Sequence, residues 1–290
     1  MKGARPLVGL APWLICFAAF GLFPLAHALV LSFLSYNPLR PDLARWAGLD
    51  NYVRALSSPS FWHALRTTAI FAAGTLPVTL VLAYGVAALL GRVRRAEGFF
   101  RAAIFFPATL SMVVISLVFK SMYAEEGLLN GWLSGLGQPH VHWLLDARLA
   151  LPSIMVMDVW ASVGYYAILI LAARKTLPEE QLEAARLEGL PPLAIERRIV
   201  LPHVRPVLLF VVLLNTIRAF QIFIEVFVLT RGGPLESTLT LVYHLYERAF
   251  YHFEMGYASA LAFLLLLFVG AILVVQRLVL GRDPAGTRPA

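Results

Sequence analysis

The chain has 290 residues, 59% of them hydrophobic and only 14% charged, with a mean hydropathy of +0.74. A soluble domain carries roughly a quarter charged residues, so this balance excludes an ordinary soluble protein and, with repeated long apolar runs, places the chain in a bilayer. The single cysteine, Cys16, excludes an intrachain disulfide and a cysteine metal cluster, and the net charge of +7 must be read by its distribution.

Six stretches reach the roughly 20 residues that a spanning helix needs: 7–34, 65–90, 102–122, 149–172, 204–229 and 257–280. The fold class expected is an all-α membrane protein of six transmembrane helices. The N-terminal segment, the loop at 92–101, the loop at 174–205 and the C-terminal stretch from Arg277 hold 15 of the 24 basic residues and 7 acidic ones, a balance of +8. The opposite loops hold 8 basic and 8 acidic residues, netting zero. Lys and Arg mark the cytoplasmic side, so both termini are expected in the cytoplasm. The positive charge is then a topology signal, and nucleic acid is not expected as a partner.

In chain order, Lys2 and Arg5 precede the first run and Ala26-His27-Ala28 follows most of it. That run is too long for the core of a cleavable signal, so a retained helix is expected. Pro24 inside it predicts a kink, tolerated where neighbouring helices satisfy the freed carbonyl. Trp46, Tyr52, Phe61 and Trp62 in the next, external segment suit an interfacial belt. The second span carries Gly74, Pro77 and Gly85, small or kinking residues that let helices approach. The short basic loop 91–107 is expected inside. In the external loop 125–146, His140 and His142 form a pair without a third ligand at supporting spacing, so no metal is expected.

The fourth span holds Asp158, about one-third along, followed by Tyr165 and Tyr166. An acid in a span costs about 2.5–3.5 kcal/mol on insertion scales and must face a partner or water. The fifth span places Asn215, Arg218, Gln221 and Glu225 at steps of three, three and four, which predicts one polar face on an apolar helix. Such a stripe reads as lining a pathway, with pairing of Arg218 to Glu225, Asp158 or a neighbouring chain as the plainer alternative. Over seven residues of helix, Arg218 and Glu225 are expected to need a bridging group. Beyond it lie a sharp Gly-Gly-Pro turn at 232–234 and a half-apolar segment at 237–250.

Between the fourth and fifth spans lies a charged island, 174–205. Acids at Glu179 and Glu180 after Pro178 open a helix, Gly189 permits a turn, and Pro191-Pro192 start a second helix. None of the three lysines, Lys2, Lys120 and Lys175, follows a glycine, so a Walker A loop is absent. No catalytic constellation stands out. Asp158 with His203 is the one pair an intramembrane enzyme might offer, at depths expected to be far apart, and a channel or scaffold would need no such island. Energised work would draw on another subunit.

These residues resemble the permease subunits of binding-protein-dependent ABC importers, in particular the sugar branch of the maltose, lactose and glycerol-phosphate type. The hallmark loop of that family is matched at Glu183, Ala184, Ala185, Gly189, Ile199, Leu201 and Pro202 with its spacing intact. Further matches are GLDNY at 48–52, FFRAAIFFP at 99–107, GLLN at 127–130, and LTRGGP and GYASALA in the last third. Departures are Glu188 where Asp is usual, Leu190 for Ala, and Glu196 where an aromatic is common.

The resemblance implies the type I importer permease fold in the cell (inner) membrane, with no catalysis by this chain. It implies a heterodimer with a second permease, two ATPase subunits that use the ATP, and an extracytoplasmic solute-binding protein; no cofactor is bound by this chain. The loop would dock the ATPase through Glu183, Ala184, Ala185, Glu188, Gly189, Ile199, Leu201 and Pro202. A small-molecule substrate, a carbohydrate or alternatively an anion such as glycerol phosphate, would pass Asp158, Tyr165, Asn215, Arg218, Gln221 and Glu225. The expected division is a first span with its external segment at 1–60, a permease core at 61–282, and a cytoplasmic tail at 283–290.

Overall fold

The computed structural model describes residues 5–93 and 95–280, with side chains from residue 10 onward. Lys2, Arg94 and the expected tail lie outside these residues, as does the side chain of Arg5. Backbone polar groups in lipid find no water, so apolar runs fold as helices.

Helix α1 (Arg5–Phe17) runs through a wide π turn at Ala18–Leu22 into α2 (Phe23–Ser32), and the irregularity sits just ahead of Pro24. A two-residue pairing of β1 (Leu34–Ser35) with β2 (Arg45–Trp46) follows, then α3 (Asp50–Ser57) and the long α4 (Pro59–Leu90). Next come α5 (Glu97–Thr109), α6 (Met112–Met122), α7 (Leu128–Gly135) and α8 (Ala150–Arg174). The island forms α9 (Glu179–Leu187) and α10 (Pro192–Ile195). The chain continues through α11 (Leu201–Phe220), α12 (Ile224–Leu229), α13 (Leu241–Tyr246) and α14 (Met255–Leu280).

Among the described residues, five stretches are long and apolar enough to cross a membrane, and α5 with α6 makes a sixth only as a broken pair bent by 93°. The third expected span is therefore not one helix. Pro107 in the last turn of α5 and extended backbone at Leu110 and Ser111 stop the first piece before α6 starts.

The chain divides into two compact units. The first comprises residues 5–63 and His244–Phe268. Here Asn51 of α3 donates through Nδ2 to the carbonyls of Ser32 and Leu34, both at 2.9 Å, and so satisfies the end of α2. Tyr52 bonds the Ser32 hydroxyl at 2.7 Å. Arg54 pairs with Glu254 at 2.7 Å and lies over the Tyr257 ring. The expected aromatic belt is only half correct: Trp46 and Trp62 face outward, whereas Phe61 is fully buried and Tyr52 is held by its hydroxyl. Adjacent Phe61 and Trp62 necessarily point to different faces of α4.

The second unit comprises residues 64–243 and 269–280. Its centre is α8, buried along most of its length. Ala83, Ala87 and Leu90 of α4 pack on Tyr166, Ala167, Ile170 and Leu171 of α8, with Val211 of α11. The alanines allow backbones to approach where lipid provides no hydrophobic drive between helices. Gly164 does the same toward α5: a methyl group there would overlap the Ile104 carbonyl. His140 bonds Ser134 at 2.7 Å.

Candidate functional site

The island folds as two arms around a turn. Glu179 and Glu180 lie in the first turn of α9 and Arg186 in its last, each favoured by the helix dipole. At its end Gly189 adopts φ +76°, its N–H donates to the Arg186 carbonyl at 3.0 Å, and the Leu190 N–H donates to the Ala185 carbonyl at 3.1 Å. This paired pattern is a Schellman stop, and its left-handed residue is the reason glycine stands there.

The second arm differs from the expected separate short helix. Pro191 opens α10, which passes through a π turn at Glu196–Val200 directly into α11, so the arm is the first turns of the following span.

A small apolar core closes the loop: Leu177, Ala185, Ile195, Val200 and Val204, with Leu190 and Ile199 packed on it. The motif residues therefore divide. Ala185 and Ile199 face this inner core, while Glu183, Ala184, Glu188, Gly189, Leu201 and Pro202 face outward. Sequence reasoning missed the most prominent outward groups, Leu187 at 89% and Leu193 at 69% exposure. The signal was Leu187 set between Arg186 and Glu188, and Leu193 directly after Pro191-Pro192.

Glu196, a departure from the family pattern, points inward. It accepts hydrogen bonds from both Arg174 guanidinium nitrogens at the foot of α8 and from the Tyr84 hydroxyl of α4. The Arg174 guanidinium also lies over the Tyr84 ring. Beside it, Lys175 pairs with Glu97, which Arg101 approaches at 3.6 Å. His203 bonds Thr176 at 2.9 Å at this same end, whereas Asp158 sits about one-third of the way along α8 from its other end.

The polar residues of the spans do not share one helical face. Helix α11 stops at Phe220, Gln221 and Phe223 have non-helical dihedrals, and α12 starts afresh at Ile224. The break turns Glu225 back toward Arg218. The Arg218 Nη2 lies 2.7 Å from Asp158 Oδ1 and 3.8 Å from Glu225 Oε1, a direct bridge where an intervening group was expected. Both carboxylates are buried, and Arg218 Nη1 is buried without a hydrogen-bond partner. Asn215 is buried as well, while Gln221 is exposed at the break. Tyr165, half exposed, meets Tyr166 edge-on at 5.3 Å, and both rings border a cavity of about 170 Å³ with Ser162 and Arg218. The fold thus brings Asp158, Arg218 and Glu225 together, and Tyr165 with Arg218, at one place in the membrane.

The site thus joins a buried ion triad at a broken span to an internally packed loop at the ends of the spans. Residues 75–282 match the family described as the binding-protein-dependent transport system inner membrane component, and the chain belongs to that family. The lactose transport system permease protein LacF of Rhizobium radiobacter is 33% identical over 273 residues, covering 92% of this chain and 90% of LacF. The diacetylchitobiose uptake system permease protein NgcF of Streptomyces coelicolor is 34% identical over 295 residues, covering 96% of this chain and 83% of NgcF. A bacterial alginate ABC transporter, crystallised in complex with an alginate pentasaccharide-bound periplasmic protein, contains a chain of the same fold. Its TM-score is 0.83 at 18% identity, over 96% of this chain and 94% of that one. The protein is thus a multi-pass permease subunit of an ABC importer in the inner membrane.

Proposed function

We propose that this chain is one of two unlike permease subunits that form a carbohydrate pathway, driven by two ATPase subunits and supplied by an extracytoplasmic binding protein. Both ends lie in the cytoplasm, the ATP is used by the ATPase alone, and this chain carries out no catalysis. The core, residues 61–282, carries the pathway and the docking loop. The observation that supports this best is the loop itself: an internally packed, glycine-stopped pair of arms that leaves Glu183, Leu187, Glu188 and Leu193 outward for a partner. Exposed leucines on a rigid knob are what a partner cleft buries with profit in free energy, about 1.5–3 kcal/mol for each side chain fully covered.

The named cargo of LacF, NgcF and the alginate transporter supports a carbohydrate. So does the triad, because Arg218 is already held by two carboxylates and offers little to an anionic solute such as glycerol phosphate. Tyr165 presents a half-exposed ring for the apolar face of a sugar, and Gln221 an amide for its hydroxyls. Asp158 and Glu225 hold Arg218 beside the break that exposes Gln221, and Asn215 is buried close by in the last turns of α11.

The test uses the assembled importer. Leu187→Glu with Leu193→Glu is expected to abolish co-purification of the ATPase at unchanged permease yield, and stoichiometric ATPase would refute the docking reading. In proteoliposomes, Gln221→Ala and Tyr165→Ala are expected to raise the half-saturating oligosaccharide concentration about tenfold. Unchanged uptake would sink the pathway assignment.

A further inference from the structure

Between α9, α10 and the last turns of α4 and α8 lies an open cleft of about 550 Å³. Its lining carries four cations, Arg92, Arg174, Lys175 and Arg186, against one carboxylate, Glu196. Two of the cations are committed, Arg174 to Glu196 and Lys175 to Glu97. Among the described residues neither Arg92 nor Arg186 has an ion-pair partner within 4 Å, although Arg92 contributes to the field at Glu196. The cleft is thus left with uncompensated positive charge, one guanidinium from the loop after α4 and one from α9.

Its depth narrows the ligand. Ala88 and Leu171, in the final turns of two spans, form part of the wall, and leucines of α9 such as Leu182 complete an apolar side. The cleft therefore opens where hydrocarbon gives way to the charged layer, on the side the basic residues mark, and pairs an apolar wall with guanidinium groups. Guanidinium forks match phosphate oxygens geometrically, and anionic headgroups concentrate at this depth. We propose that this cleft binds the phosphate of an anionic phospholipid, with Arg92 and Arg186 as its two ligands and the apolar wall against the start of the acyl chains.

A seated headgroup bridges α9 to the end of α4 and so restrains the docking loop. The site goes beyond the transport reading and does not depend on which solute is carried. Each basic residue near an anionic surface contributes about a fivefold gain in binding, so losing both corresponds to about 25-fold.

The experiment compares the full chain in nanodiscs of phosphatidylglycerol and of phosphatidylcholine, with retained lipid counted by native mass spectrometry. Wild type is expected to retain phosphatidylglycerol selectively, and Arg92→Gln with Arg186→Gln to lower that retention about 25-fold. Arg197→Gln with Arg198→Gln removes the same charge from exposed positions outside the cleft lining and is expected to lower retention clearly less than the cleft pair does. Should the cleft double variant fail to fold, Arg186→Gln alone, at an exposed position, is expected to cost about fivefold. Absence of lipid preference, or equal losses in the two pairs, would overturn the site. Inorganic phosphate added to phosphatidylcholine discs separates the sources: a thermal shift matching that of phosphatidylglycerol would overturn the lipid assignment in favour of a soluble phosphate.

Discussion

Replacing Gly189 by alanine isolates one term in the docking loop. A Cβ at this position meets nothing within 4 Å, so neither a clash nor a lost contact follows. What remains is the left-handed backbone at φ +76°, which costs an L-residue about 1–2 kcal/mol relative to glycine. At that cost the stop populates its native geometry about 5- to 30-fold less strongly against frayed alternatives. Asparagine tolerates this region, so the expected order is Gly, then Asn, then Ala, then Val. The direct assay is hydrogen exchange at the Leu190 amide, whose bond to the Ala185 carbonyl exists only when the turn closes. ATPase affinity is expected to fall in the same order by about the same factor. Equal exchange and affinity in the Gly, Asn and Ala forms would refute the reasoning, because no steric effect is present to compensate.

Three further outcomes follow from other contacts. Glu196→Ala leaves a largely buried Arg174 without its partner and is expected to destabilise by about 2 kcal/mol, while Glu196→Gln, keeping an acceptor for Tyr84, costs less; thermal melts in detergent rank them. Arg218→Met strands two buried carboxylates and is expected to cost about 3–5 kcal/mol, largely recovered when Asp158→Asn and Glu225→Gln are added; a loss unchanged in the triple variant would show that the charges do not interact. Burial lowers the His244 imidazole to about 4, below its ordinary value, so the unfolded chain binds the proton first. Its contribution is fully present above about pH 6.5 and is lost as pH falls toward about 4, and His244→Phe is expected to flatten that part of the melting-temperature profile.

The spans were legible because apolar length is a one-dimensional property, and the island because charge interrupts it. Gly189 was legible for the same reason: a helix stop needs only local chemistry. The break after Phe220 was not, since Gln221, Ile222 and Phe223 include neither proline nor glycine. It is held by Arg218 reaching Asp158, sixty positions away, a tertiary pairing that no local pattern announces. Pro107 did mark the break between α5 and α6, but proline is common inside spans and could not be told from a kink. Glu196 was legible only as a departure from the family pattern. Its role emerged once Arg174 and Tyr84 were seen to converge on it, and Leu187 and Leu193 stayed hidden because a charged stretch was read as uniformly polar.

The absence of a joint between α10 and α11 has a mechanical consequence. From Pro192 to Phe220 the chain is helical without a break, through one π turn and past Pro206, a length of about 40 Å at 1.5 Å per residue. A tilt of about 5° applied at the Leu193 end swings the far end by about 3–4 Å. That far end carries Arg218, held 2.7 Å from a carboxylate on another helix. A displacement of that size exceeds the reach of an ion pair, so the helix can act as a lever whose load is the Arg218 ion pairs with Asp158 and Glu225.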